Sequence, residues 1–414
     1  MITNIIDYLD PFTIVSCSML ISKQFYRISH QEFQSLEISS HHDRVIHYQF
    51  IHKCSSFRTL TSLDLRNCSI EVEDFTKWVK SGNLKGLKCL VAPNDGQLVL
   101  EIGNIYNECM EELKKGSEVD YTLPNLKSIQ VENVCRLDLI SPVEYSEQMT
   151  KTPVGEIKSS RGELFGKKKA LSTLVEGVCL PMAFPQLFTG SRRPPRQYLF
   201  FGPMNSGKTM ILDALHESMP SNLIEPFSIN YYDKERAIRI LFSIARLFGK
   251  YVFSILTYHQ NLFQEVETEG EFNRRALTEL VIQLDTRPEE NLIIIMSSNR
   301  PTTINTIIRR RLYPRIYIKL LTGDDLNMFV KYQLEGRFGS NSFTTSQIDQ
   351  ITKLCEGYSP FEIEQMVKSI RNENIKGTKL IDCFKEIIEK APPLNTEQEI
   401  MEIESFAENF ASEY

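Results

Sequence analysis

The chain has 414 residues, room for roughly two to three domains. A net charge of −6, with 42% hydrophobic and 24% charged residues, is ordinary for a globular protein and argues against nucleic acid or an anionic membrane surface as main partner. Nine scattered cysteines without a C-x-x-C pair fit reduced thiols better than a disulfide framework, and no segment approaches the length of a membrane span, so a cytoplasmic protein is expected, with the nucleus as the other compartment.

Residues 1–38 read as apolar helices, with Pro11 after Asp10 as a helix-start signal. His41, His42, His47, His52 and Cys54 follow in a cluster whose spacing fits no common zinc pattern and reads as a polar helix face. Residues 39–140 carry a weak repeat: Leu60, Leu63 and Leu65 recur as Leu87, Leu90 and Ala92, then as Leu126, Ile129 and Val131, at offsets of 27 and 39 residues. The first offset suits a leucine-rich repeat and the second requires an insertion; each unit would supply one strand to a stacked sheet. Residues 141–163 are polar and read as a linker.

From Leu164 strands and helices alternate, which predicts an α/β domain with a parallel sheet flanked by helices over 164–322. Lys167, Lys168 and Lys169 read as a solvated basic run. Residues 323–414 read as a helical subdomain ending in an amphipathic helix.

One motif carries chemistry. GPMNSGKT at 202–209 follows the apolar strand YLFF and precedes the helical MILDALHESM. It fits the phosphate-binding loop G-x-x-x-x-G-K-[ST]. Backbone N–H groups of Gly202, Pro203 to Ser206 (Pro203 itself having none), Gly207, Lys208, Thr209 and Met210 border the cradle; Met204 and Asn205 form its turn. Lys208 would reach the β and γ phosphates of ATP, and Thr209 would hold Mg²⁺.

The region from about 164 to 414 resembles the AAA ATPases of the katanin, spastin and vacuolar-sorting clade. VEGVCLPMAFPQLFTGSRRPPRQYLFFGPMNSGKT is similar to that clade's approach to its loop, and further segments follow in order. LIIIMSSNRP resembles the sensor-1 strand, which implies that Asn299 positions the attacking water. IIRRRLYPRIYIKL resembles the arginine-finger segment, which implies that Arg310 and Arg311 reach the γ-phosphate of a neighbouring subunit in an oligomer. GYSPFEI resembles sensor 2, with Pro360-Phe361 in place of a small Gly-Ala pair near the base. Read by themselves, Asn299 could start a turn and Arg309–Arg311 could be a solvated cluster. Residues 1–38 resemble an F-box through YLDP, an apolar stretch and SKQFYRIS, although the family's Leu-Pro opening is missing. That resemblance implies docking on a Skp-type adaptor of a ubiquitin ligase; the plain alternative is a helical hairpin.

Two departures stand out. The clade's Walker B strand ends in Asp-Glu, yet no Asp or Glu occurs between Lys250 and Gln264; the two positions fall on Leu256 and Thr257, or on His259 and Gln260. The aromatic pore loop is shortened, leaving Tyr231 and Tyr232 as remnants or as aromatics packed at a strand end. The expectation is an ATP-binding protein with weak or absent hydrolysis acting as a scaffold or adaptor; the alternative is an active motor that remodels protein complexes.

Overall fold

The structure is a computed structural model. It describes residues 35–37, residues 61–139 with several breaks, then 164–226 except 220, 234–259 except 250–252, 271–286, and 292–412 except 340–342 and 371–377. The N-terminal helices expected before residue 35, the His41–Cys54 cluster, the 141–163 linker and the Tyr231-Tyr232 pair lie outside these residues. In chain order the elements are β1 (Ser35–Glu37), β2 (Ser62–Asp64), α1 (Val72–Lys80), β3 (Cys89–Ala92), α2 (Gly96–Lys114), β4 (Ser128–Val131), β5 (Cys135–Asp138), α3 (Lys168–Leu174) and β6 (Gln197–Phe201). There follow α4 (Lys208–Ser218), β7 (Ser221–Pro226), α5 (Lys234–Phe248), β8 (Phe253–His259), α6 (Glu271–Asp285), β9 (Leu292–Ser298), α7 (Thr306–Arg309) and β10 (Arg315–Tyr317). The chain closes with α8 (Gly323–Phe338), α9 (Thr345–Leu354), α10 (Pro360–Ser369), α11 (Thr378–Lys390) and α12 (Glu397–Phe410).

The chain divides into two compact units. The first takes the described parts of 1–152, 220–257 and 269–293. Its strands run in the order β1-β2-β3-β4-β5-β7-β8. β1 to β4 are parallel, and the repeat read from the sequence is in register: Leu63 lies opposite Leu90, and Leu90 opposite Ile129. Ser35–Glu37 is a strand rather than the end of a helix, because Leu36 pairs with Leu63 at this edge. β5 reverses direction and lies antiparallel to both β4 and β7, with Leu137 opposite Ile224. The N-terminal strands therefore cover an edge of β7 that would otherwise present open backbone groups.

Helix α2 supports this junction. Its apolar residues Leu98, Ile102, Ile105 and Cys109 are buried at helical spacing. Gly103 lets α2 approach α5, since a Cβ there would fall 2.2 Å from Leu247 Cδ2. Tyr106 Oη donates to buried Asn222 Oδ1 at 3.1 Å, and Asn222 Nδ2 donates to the Phe248 carbonyl at 2.9 Å.

The second unit takes the described parts of 153–219, 258–268 and 294–414. β6 lies between β9 and β10, parallel to both. LIIIMSS of β9 is buried along its length, as expected for a strand covered on both faces. Helices α8 to α11 enclose their own core, built on Leu326, Val330, Ile351, Ile363, Leu380 and Phe384. Capping boxes at Thr344, Ser359 and Thr396 start α9, α10 and α12, each satisfying N-terminal donors that would otherwise be orphaned.

Candidate functional site: a phosphate-binding loop

The loop that joins β6 to α4 is built as its sequence suggested. Gly202 lies at φ +154°, and a Cβ on it would fall 2.1 Å from the Ile318 carbonyl oxygen, so no other residue fits without moving β10. The chain then turns through Asn205 at φ 58° and Gly207 at φ 95°, which caps α4. Left-handed backbone at these points turns successive N–H groups toward one concavity. Met204 and Asn205 are exposed, and Ser206 is buried. Thr209 and Met210 open the helix, with Thr209 at the surface.

Lys208 is 7% exposed and folds back on the loop. Its Nζ donates to the carbonyls of Gly202 (2.9 Å) and Pro203 (2.6 Å), and lies 3.3 Å from Ser206 Oγ. Burial, and then the charge of neighbouring Lys167, pull its pKa down to about 7. Lys167 is the correction to the sequence reading. Lys168 and Lys169 are exposed, but Lys167 is buried, with Nζ donating to the Lys319 carbonyl at 3.0 Å. Burial lowers its pKa to about 8, against the Asp325 carboxylate, which raises it.

Asn299 follows directly on β9. Phe201 pairs with Ser298, and the Gly202 N–H donates to the Ser298 carbonyl at 3.3 Å, so Asn299 falls level with Gly202, the first residue of the phosphate loop. Arg310 and Arg311 leave the end of α7. Arg310 is exposed, and Arg311 Nη1 donates to the Ile307 carbonyl at 2.7 Å. Arg309 is placed differently: its guanidinium lies 5.6 Å from the Phe406 ring and 5.5 Å from the Phe410 ring of α12. Pro360 begins α10 after the Ser359 cap, and Phe361 is half exposed.

A contact that the sequence did not disclose ties the loop to the C-terminal segment. Asn395, 7% exposed, accepts from the Met204 N–H at 2.7 Å and donates to the Met204 carbonyl at 3.2 Å. Nothing local marks it; the partners are 191 residues apart.

Magnesium bound mainly by protein needs several hard oxygen donors. Thr209 offers one hydroxyl, and among the described residues no three His, Cys, Asp or Glu side chains stand together as a metal site. A magnesium ion here would therefore rest on the Thr209 hydroxyl together with nucleotide phosphates and water.

A parallel strand, a left-handed loop and a helix opening on Lys-Thr define a P-loop nucleotide-binding module. Residues 198–320 match the family model described as "ATPase family associated with various cellular activities (AAA)". The chain is thus similar in this region to AAA ATPase domains, and its relatives include fidgetin-like and spastin proteins. It is 34% identical over 211 residues to Fidgetin-like protein 1 of Caenorhabditis briggsae, covering 49% of this chain and 35% of that protein. It is 29% identical over 279 residues to Spastin of Dictyostelium discoideum, covering 64% of this chain and 41% of that protein. The chain thus spans well under half the length of these relatives. Its fold is similar to the crystal structure of the FIGL-1 AAA domain in complex with ADP, with a TM-score of 0.52 and 24% identity, covering 64% of this chain and 95% of that one.

Proposed function

We propose that this chain binds ATP or ADP through Gly202–Thr209 and hydrolyses ATP slowly or not at all, acting as a nucleotide-dependent scaffold or adaptor. The observation that carries the reading is the lack of any Asp or Glu from Lys250 to Gln264, beside a phosphate loop complete in residue type and backbone form. β8 occupies Phe253–His259, the stretch in which the resemblance places the missing acids. Leucine cannot hold a metal, and threonine is too weak a base near neutral pH; loss of a general base alone costs about 10²–10⁴-fold in rate. Asn299 would still orient a water, and Arg310 and Arg311 would act on nucleotide held by a second AAA subunit, which makes an oligomer part of the reading. The strand register of β2, β3 and β4 supports a leucine-rich-repeat-like region; docking of residues 1–38 on a Skp-type adaptor rests on their resemblance alone, and a cytoplasmic location on the scattered cysteines.

A second reading is an active ATPase that remodels protein complexes. Similarity to the fidgetin-like and spastin proteins favours it. Steady-state turnover by the purified chain separates the two. Turnover well above background that Lys208→Ala removes establishes the motor; background turnover with retained ATP binding establishes the scaffold. Co-purification of a Skp-type adaptor, lost on deleting residues 1–38, tests the adaptor role independently.

A further inference from the structure

We propose that Lys167 is a second cationic contact of the nucleotide site: its ammonium binds the phosphate chain of a nucleoside di- or triphosphate and takes over charge neutralisation that a protein-held metal would otherwise supply. The proposal rests on the reading of Gly202–Thr209 as a nucleotide loop.

Geometry carries it. Gly207 caps α4 at the end where a phosphate meets the helix. A Cβ built on Gly207 would meet one atom within 4 Å, Lys167 Cε at 3.4 Å. The space over this glycine is otherwise open, and the Lys167 side chain is the wall beside it. Lys167 is 6% exposed, so its ammonium is not a solvent-facing charge. One of its three donors goes to the Lys319 carbonyl, and that bond holds the head group next to the loop.

Charge gives the arrangement a purpose. Lys167 borders Gly207, the residue before Lys208; both lysines are buried, and the Lys167 charge adds to the lowering of the Lys208 pKa. Asp325 offsets part of the Lys167 charge, but burial still disfavours both ammonium groups, and an anion bound at the loop relieves that desolvation. A polyphosphate is such an anion. Thr209 brings one hydroxyl, residues 250–264 bring no carboxylate, and among the described residues no cluster of three acidic, His or Cys side chains stands ready for a divalent ion. An ammonium at Lys167 supplies fixed positive charge in its place.

The test measures binding of ADP and of adenosine to the full chain, in magnesium and in EDTA, for wild type, Lys167→Gln, Lys167→Arg, Lys208→Ala and Lys168→Gln. The expected wild-type affinity for ADP in EDTA stays within about tenfold of that in magnesium. Lys167→Gln should weaken ADP about 10- to 100-fold in EDTA, the range for a lost charge-assisted hydrogen bond. Adenosine binding should be unchanged, Lys167→Arg should restore ADP, and Lys168→Gln on the exposed neighbour should be silent. Equal loss of ADP and adenosine in Lys167→Gln, or wild-type ADP affinity in both conditions, overturns the proposal. Should Lys167→Gln fail to fold, Lys167→Arg and the wild-type comparison in EDTA still decide: collapse of wild-type ADP binding on removing magnesium refutes it. Failure of the wild type to bind ADP in either condition, with Lys208→Ala indistinguishable from it, instead refutes the nucleotide-site reading.

Discussion

Replacing Asn395 by alanine removes both hydrogen bonds that clip Met204 to the segment before α12. Each is worth about 1 kcal/mol net, and the Met204 backbone can turn to water once released because Met204 lies at the surface, so the total should fall near 1–2 kcal/mol. The clip acts on a loop whose Asn205 is held at positive φ, a conformation that a non-glycine residue does not favour unaided. If the clip organises the loop for phosphate, the same 1–2 kcal/mol appears in binding as a roughly 5- to 30-fold rise in Kd for ADP. Thermal melting and ADP titration on the same preparation read both quantities. Asn395→Asp keeps an acceptor for the Met204 N–H but loses the donor and adds negative charge. It should therefore melt closer to wild type while binding ADP more weakly. Wild-type melting and wild-type affinity in Asn395→Ala would refute the idea that the C-terminal segment shapes the phosphate loop.

Gly202→Ala should abolish nucleotide binding and lower the melting temperature, because its Cβ would overlap a backbone oxygen of Ile318 rather than a flexible side chain; a soluble variant with native affinity would contradict this. Asn222→Ala should cost about 2–3 kcal/mol in chemical denaturation, since it leaves the Phe248 carbonyl and Tyr106 hydroxyl without their buried partner. The lysines give a pH signature with a definite sign. Lys208 at about 7 and Lys167 at about 8 lie below the ordinary lysine value of 10.5, so the folded nucleotide-free chain binds fewer protons than the unfolded chain. Its stability should therefore rise between about pH 7 and 9, and Lys167→Gln should flatten that rise. A melting temperature that falls over this interval in wild type would count against burial of the two ammonium groups.

The elements around the phosphate loop were legible because their signals are local. YLFF, the glycines and Lys-Thr specify a strand, a turn and a helix within one short stretch, and β6, the loop and α4 follow them. The repeat over Leu63, Leu90 and Ile129 was legible for a related reason: equivalent positions in parallel strands carry equivalent side chains. Lys167 was not legible. A run of three lysines looks alike in sequence whether it faces solvent or a carbonyl, and the carbonyl that accepts from Lys167 belongs to Lys319, 152 residues away. β5 shows the same limit in a strand. Cys135–Asp138 is four residues long, too short for alternation to fix its partner, and its place beside β7 follows from edge pairing rather than from its own pattern.

The C-terminal helix bears on whether hydrolysis is needed for this module to act. Within the second unit α12 and the residues flanking it touch the three segments to which the resemblance assigns site roles. Asn395 holds the phosphate loop; Glu399 accepts from Arg300 Nη2 at 2.8 Å, next to Asn299; and Phe406 and Phe410 hold Arg309 beside Arg310 and Arg311. Ser412 closes the set by exchanging hydrogen bonds with the Arg315 backbone. A nucleotide that draws Lys208 off the Gly202 and Pro203 carbonyls changes the loop that Asn395 clips, and so changes the load on a helix that also carries the arginine segment. Such coupling depends on a difference in contacts between the empty and the loaded loop, not on bond cleavage. Binding and release alone would then suffice to switch the arginine-bearing surface. Asn395→Ala should uncouple the two: ADP should change the exposure of Arg310 and Arg311 to a guanidine-modifying reagent in wild type and leave it unchanged in the variant at saturating ADP. An equal ADP response in both proteins would show that the signal does not pass through this clip.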